Sequence, residues 1–165
     1  MLESLKVHHL ILATEFELLV QARWDAHQCS FNTEEGFWER LHGSKEQYLA
    51  QVADHLHQNS RKYTIFTHQE QYVGILEYAY SNILLKETGY LNLFYVFPPY
   101  RGTNASTYMH DYLEQEMKAQ HLLGMFLSVS FTNTRALKFY KKMHWQDVEI
   151  KGKTEHTKFL FKPLT

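Results

Sequence analysis

Leu91-Asn92-Leu93-Phe94-Tyr95-Val96-Phe97-Pro98-Pro99-Tyr100-Arg101-Gly102-Thr103-Asn104-Ala105-Ser106-Thr107 passes from an apolar, aromatic run through a proline pair into a stretch of small and polar residues. Tyr90 to Phe97 has the composition of a strand, and Pro98-Pro99 ends it because proline donates no ladder hydrogen bond. Beyond the loop, Met109, Tyr112, Leu113 and Met117 share one face of a helix expected from about Ala105 to Gln120. A strand running through a tight loop into a helix start is an anion site. The first-turn amides have no acceptor within the helix, and the dipole adds partial positive charge. Arg101 adds a full charge, and Gly102, Ala105 and Ser106 are small enough to let a phosphate approach. An ordinary strand-to-helix turn with a solvated arginine has the same composition, so this segment alone leaves both readings open.

On the N-terminal side, Tyr63 to Thr67 and Tyr72 to Tyr80 alternate with period two around His68-Gln69-Glu70, the pattern of an antiparallel hairpin. Leu5 to Ala13 reads as a first strand ending at Thr14, which forms a capping box with Glu17. Phe16, Leu19, Val20 and Trp24 then recur at helical spacing until about Cys29-Ser30. A second helical region breaks at His42-Gly43, restarts with Ser44 and Gln47 as another capping box, and ends near Asn59-Ser60. On the C-terminal side, Met125 to Ser130 reads as a strand and Asn133 to Met143 as a helix. Short strands follow near Trp145 to Ile150 and Thr157 to Phe161. The order β, α, α, β, β, β, α, β, α, β, β implies an α+β fold, a mixed sheet with helices on both faces.

With 165 residues, 44% of them hydrophobic, the chain is expected to form a single domain spanning 1–165. Seventeen lysines and arginines face 18 aspartates and glutamates, a balance that argues against nucleic acid as partner and favours a small ligand. A lone cysteine, Cys29, fits a reducing, cytoplasmic compartment. No apolar run is long enough for a membrane span. The 11 histidines are scattered without zinc-type spacing, so no metal is expected.

A second stretch, Asn133-Thr134-Arg135-Ala136-Leu137-Lys138-Phe139-Tyr140-Lys141-Lys142, is independent of the first. Together with Val96 to Gly102 it resembles the GNAT superfamily of acetyl-CoA-dependent N-acetyltransferases. The resemblance implies a mostly antiparallel sheet of six to seven strands with helices on both faces. It also implies acetyl-CoA as co-substrate. Its pyrophosphate loop, R/Q-x-x-G-x-G/A, falls on Arg101, Gly102, Thr103, Asn104, Ala105 and Ser106, with Thr107 following. An asparagine and a tyrosine seven residues apart, beside the pantetheine arm and thioester, fall on Asn133 and Tyr140 and bring Ala136 and Phe139 with them. Main-chain groups of Phe94, Tyr95 and Val96 would contact pantetheine and thioester. The chain departs from the pattern at Asn104 and Ser106, where glycines are usual; asparagine tolerates positive φ better than other residues with a side chain. It departs again at Met143-His144-Trp145, where a glycine usually precedes the aromatic residue.

Transfer from a thioester to an amine needs an oxyanion donor, a proton acceptor and a proton donor for the leaving thiolate. Tyr140, protonated at neutral pH, is the expected general acid. Glu77, on the strand beside the one leading to the loop, is the first candidate base; an ion-paired strand carboxylate is the competing reading. Tyr90 and Asn92, expected on one strand face with Phe94, could orient the amine. Trp38 belongs to a segment, Phe31 to Glu39, whose aromatic and acidic residues would suit a lid over a cationic amine. The resulting expectation is direct acetyl transfer to a primary amine of a small molecule or peptide. A weak or inactive CoA-binding sensor of the same fold is the alternative, and exposed sheet edges leave room for a homodimer.

Overall fold

The computed structural model describes residues 2–150 and 156–164. Seven strands, β1 (Lys6–His9), β2 (Lys62–His68), β3 (Gln71–Ala79), β4 (Thr88–Val96), β5 (Gly124–Ser130), β6 (Gln146–Val148) and β7 (Thr157–Pro163), form one sheet in the order β1-β2-β3-β4-β5-β7-β6. Only β4 and β5 run parallel, joined by helix α4 (Ala105–Ala119); every other neighbouring pair is antiparallel. Helices α1 (Leu12–Phe31), α2 (Phe37–Arg40) and α3 (Lys45–Gln58) lie between β1 and β2, and α5 (Thr134–Lys142) follows β5. This is the α+β class that the order of elements implied.

The core has two parts, one on each face of the sheet. Phe16, Leu19 and Ala22 of α1, Tyr48 and Val52 of α3, and Phe37 pack against Tyr63, Ile65 and Ile75. On the opposite face, Ala105, Met109, Leu113 and Met117 of α4 cover Phe66, Leu76 and Leu91, with Tyr140 of α5 and Trp145 closing one end. Gly74 lets α4 approach β3 closely: a Cβ there would stand 2.5 Å from Met109 Sδ and 2.6 Å from the carbonyl oxygen of Tyr95.

The features that position a site lie in β4. Its ladder with β5 covers only Thr88↔Gly124 to Leu91↔Leu127, after which the strands part. On its other side, Leu91 faces Tyr78 and Leu93 faces Glu77, so Asn92 is an extra residue, a β-bulge. The bulge shifts the alternation of side chains. Leu91 and Phe94 belong to the α4 side of the core, Leu93 and Tyr95 to the α1 side. Tyr90 therefore does not share a face with Phe94, contrary to the period-two expectation.

The first strand is shorter than its apolar run suggested. The helix starts at Leu12, and its N-cap is Ile11 rather than Thr14. Glu15, not Glu17, reaches back, accepting from the Ile11 N–H at 2.8 Å while His8 Nε2 lies 2.9 Å from its other oxygen. Ser44 caps α3 as expected, accepting from the Gln47 N–H at 3.1 Å. His144, at the expected glycine position, adopts φ 69°. Asn104 does not need positive φ; its value is −77°, and the left-handed residue of that loop is Gly102 at 79°.

Gly74→Ala forces Met109 and the β4 backbone outward. The variant should lose about 1–3 kcal/mol of stability, read as a lower urea midpoint.

Candidate functional site

A cavity of about 610 Å³ opens where β4 and β5 part. In an antiparallel ladder, residues alternate in pointing their amide and carbonyl groups at the partner strand. The N–H of Phe97 donates to the Val73 carbonyl at 2.9 Å, so Val96 and Phe94 point theirs the other way, into the gap beside β5. Arg101 Nε uses one such group, the Val96 carbonyl, at 2.9 Å. The bulge residue Asn92 presents its carbonyl to Arg23 Nη1 at 3.4 Å, and its own Oδ1 is buried without a partner among the described residues. This stretch of sheet edge, cut into the interior, is prepared for a ligand with amide groups of its own.

The start of α4 forms the far wall. Its first intrahelical bond runs from Tyr108 N–H to the Asn104 carbonyl, so the amides of Ser106 and Thr107 precede the first acceptor that the helix provides. Asn104 makes no cap because its side-chain amide is committed elsewhere, accepting from the Leu2 N–H at 3.0 Å and donating to the Leu2 carbonyl at 2.9 Å. Arg101, Gly102, Thr103, Ser106 and Thr107 line the cavity, whereas Asn104 and the fully buried Ala105 do not. Helix dipole, free amides and an open space around Gly102 suit a pyrophosphate.

Arg101 is less free than its place in the sequence implied. Its Nη2 donates to Asp25 Oδ2 at 2.6 Å, and the Tyr95 hydroxyl donates to the same oxygen at 2.5 Å. Burial works against the Asp25 charge, but Tyr95 and Arg101 outweigh it and hold the carboxyl below its ordinary range. The guanidinium also lies over the Tyr95 ring, 5.4 Å from its centroid. Cys29, distant in sequence, lines the same cavity. Its thiol is pushed up by burial and by the charge of Asp25, 3.8 Å away, which disfavours the thiolate.

Helix α5 supplies Asn133, Ala136, Phe139 and Tyr140 to the cavity. Asn133 Oδ1 accepts from the Ala136 N–H at 3.2 Å, capping the helix, and its Nδ2 reaches Ser30 Oγ at 3.3 Å. The Tyr140 ring packs among Phe94, Phe139 and Trp145, and burial raises the pKa of its hydroxyl. Among the described residues no group hydrogen-bonds that hydroxyl. Behind Tyr140, Trp145 Nε1 donates to Nε2 of the buried His110 at 2.9 Å.

Three expected residues lie elsewhere. Glu77 is fully buried, with Oε1 on Arg23 and Oε2 on Arg61 at 2.7 Å. Both oxygens already accept from guanidinium groups and neither lines the cavity, so the ion-paired reading replaces that of a base. Tyr90 sits on the paired half of β4, outside the cavity and within the field of Arg61. Trp38 stacks edge-on against Phe37, 4.8 Å between centroids, in the α1 side of the core. Of its segment, Phe31 and Phe37 face the cavity, as does Arg40 just beyond it, and the glutamates do not. Arg23, Asp25, His27 and Arg40 were missed: they sit on helices without motifs, and only packing brings them to β4.

Residues 19–145 match the sequence model of the Acetyltransferase (GNAT) family. Among solved structures, the chain is similar to PaiA N-acetyltransferase from Thermoplasma acidophilum in complex with coenzyme A, at 18% identity and a TM-score of 0.77, over 97% of this chain and 99% of that one. It resembles a GNAT-family acetyltransferase from Staphylococcus aureus Mu50 at 14% identity and a TM-score of 0.77, over 98% and 100% of the two chains. Spermidine N-acetyltransferase from Vibrio cholerae, in complex with CoA and spermine, shares 15% identity and a TM-score of 0.72, over 97% and 95%. No curated protein matches the sequence.

Burial lowers the pKa of His110 from 6.5 to about 4. The unfolded chain takes up this proton below about pH 6.5 while the folded chain refuses it, so stability is retained above that pH and lost as pH falls towards 4. The loss should approach about 3 kcal/mol, and His110→Gln should remove that part of the acid sensitivity in urea titrations at stepped pH.

Proposed function

Because the chain belongs to the GNAT acetyltransferase family, we propose that it moves an acetyl group from acetyl-CoA directly to a primary amine of a small molecule or peptide in the cleft between β4 and β5. The observation carrying this reading is that the outward-facing N–H groups of Phe94 and Val96 and the first-turn amides of α4 open on one cavity. A pantetheine arm pairs like a strand, and a pyrophosphate suits a helix start. Ser106 and Thr107 amides would hold the pyrophosphate, and the β4 edge the arm. The co-substrate supplies an activated acyl group on sulfur.

The residues of the chain do the rest. The N–H groups of Phe94 and Val96 are donors for the thioester oxygen as it gains negative charge. Tyr140, whose buried hydroxyl keeps its proton, gives it to the departing sulfur. His27 is the proton acceptor in place of Glu77. It lines the cavity, and its Nε2–H donates to the Glu35 carbonyl at 2.9 Å, which fixes the tautomer and leaves Nδ1 as the basic atom. No acyl-carrying role is assigned to Cys29, since burial and the charge of Asp25 raise its thiol pKa and disfavour the thiolate. A reducing, cytoplasmic setting suits that free thiol.

The sensor alternative rested on Asn104 and Ser106 replacing glycines. Asn104 sits at φ −77°, where no glycine is needed, and turns its amide to Leu2, away from the cleft. Asn104 is therefore compatible with CoA binding in either reading, and turnover separates the enzyme from the sensor.

Millimolar acetyl-CoA should raise the thermal midpoint, by about 2.7 kcal/mol of stability at 100 times its Kd. An absent shift would exclude the co-substrate. Tyr140→Phe should lower kcat about a hundredfold with the Kd for acetyl-CoA unchanged. His27→Gln should lower kcat/KM for the amine about a hundredfold, with the Kd for acetyl-CoA unchanged, in initial-rate assays. Cys29→Ser should retain turnover, whereas a covalent route through sulfur would abolish it.

A further inference from the structure

We infer that the amine acetylated by this chain carries an anionic group, a carboxylate or phosphate close to its nitrogen, and that Arg40 binds it. The inference rests on the reading of the cleft as an acetyltransferase site and names the substrate class of that site.

Among the described residues, no aspartate or glutamate lines the cavity, while Arg23, Arg40, Arg101, Arg135 and Lys142 do. The chain as a whole has a net charge of −1, so this concentration is local. Arg135 and Lys142 stand on α5, without carboxylate partners among the described residues, and are free to meet the phosphates of the co-substrate. Arg101 is neutralised by Asp25. Arg23 and Arg40 remain, on the opposite wall formed by α1 and α2.

Arg23 belongs to a cluster in which two guanidinium groups share one carboxylate, Glu77, and which therefore keeps one positive charge in excess. Arg40 has no carboxylate partner among the described residues. Its guanidinium carbon lies 4.0 Å from the centre of the Phe31 ring, which holds the plane against the cavity wall with its donors free. Glu34, Glu35 and Glu39 are close in sequence but line none of the cavity.

A polyamine entering here would carry its second ammonium towards an unopposed arginine and an already positive cluster. A carboxylate or phosphate would meet a planar, pre-positioned fork and the excess charge behind it. Phe31 and Phe37 leave an apolar side to the same wall, room for a short carbon skeleton between nitrogen and anion.

The test uses matched acceptors. Alanine is compared with alaninamide, and O-phosphoethanolamine with ethanolamine, with spermidine as a cationic reference, following CoA thiol release. At least one anionic amine should exceed its neutral partner tenfold or more in kcat/KM, and the pair that responds tells carboxylate from phosphate. Arg40→Ala should remove that preference, about tenfold or more, without changing the KM for acetyl-CoA, and Arg40→Glu should raise spermidine above both anionic acceptors. Equal or better use of the neutral or cationic amines by the unaltered chain, or a preference that survives Arg40→Ala, overturns the inference. If acetyl-CoA binds but no amine turns over, thermal shifts of the CoA complex decide. Stabilisation by N-acetylalanine or N-acetyl-O-phosphoethanolamine, absent with the neutral analogues and lost in Arg40→Ala, upholds the anion site while the transfer reading fails. No stabilisation by either overturns the anion site as well.

Discussion

The parting of β4 from β5 after Leu91 and Leu127 is the constraint from which the site follows. Paired along its whole length, β4 would spend every main-chain group on its neighbours, and nothing could enter the sheet. The bulge at Asn92 increases local twist and carries the second half of the strand away from β5. Main-chain groups that a sheet would normally satisfy then face a cavity, a costly arrangement unless a ligand pairs with them. The same divergence delivers the chain to Pro98-Pro99, so that α4 begins at the mouth of the gap with its amides forward.

An opening of this kind needs bracing, and α1 provides it. Arg23 ties its middle to the bulge carbonyl and to Glu77, and Asp25 ties it to Tyr95 and Arg101 beyond the bulge. The carbonyl of Ser30 accepts from Ser130 Oγ at 2.9 Å and Thr132 Oγ1 at 2.6 Å on the β5 side. One helix thus holds both lips of the gap at a fixed separation through polar contacts. Apolar packing alone would resist a change in that separation less specifically. The twin use of Asp25 also explains why Arg101 points into the strand rather than towards solvent.

What could be read from the sequence was what depends on local chemistry. Pro98-Pro99 ends a strand and Ser44 caps a helix; each is decided within one turn or one ladder. The errors arose where a distant partner decides. Glu77 looks like a free strand carboxylate until Arg23 and Arg61 close on it from positions 54 and 16 residues away. A bulge inserts one residue without marking composition, so Tyr90 and Phe94 fall on opposite faces where a period of two puts them on one. Thr14-x-x-Glu17 satisfied the spacing of a capping box, yet Glu15 had His8 as a tertiary partner and took the helix start one turn earlier. Cys29 seemed remote because 72 residues separate it from Arg101, although α1 lays it against the same cavity.

Burial also bears on the proton transfer proposed for Tyr140. A thiol has an unperturbed pKa near 8.5 and a phenol near 10, so full transfer from tyrosine to a thiolate is uphill in water. Packing among Phe94, Phe139 and Trp145 raises the hydroxyl further, but the same low-dielectric surroundings disfavour a thiolate at least as strongly. Both anions are penalised together, and the difference between them matters more than either value. Tyr140, with no competing hydrogen-bond acceptor among the described residues, can direct its proton only into the cavity. In the role proposed for it, Tyr140 would stabilise negative charge on the leaving atom by a hydrogen bond that becomes a proton transfer as the carbon–sulfur bond lengthens. A surface tyrosine would share its hydrogen bond with water, whereas Tyr140 is buried and meets the cavity from the core.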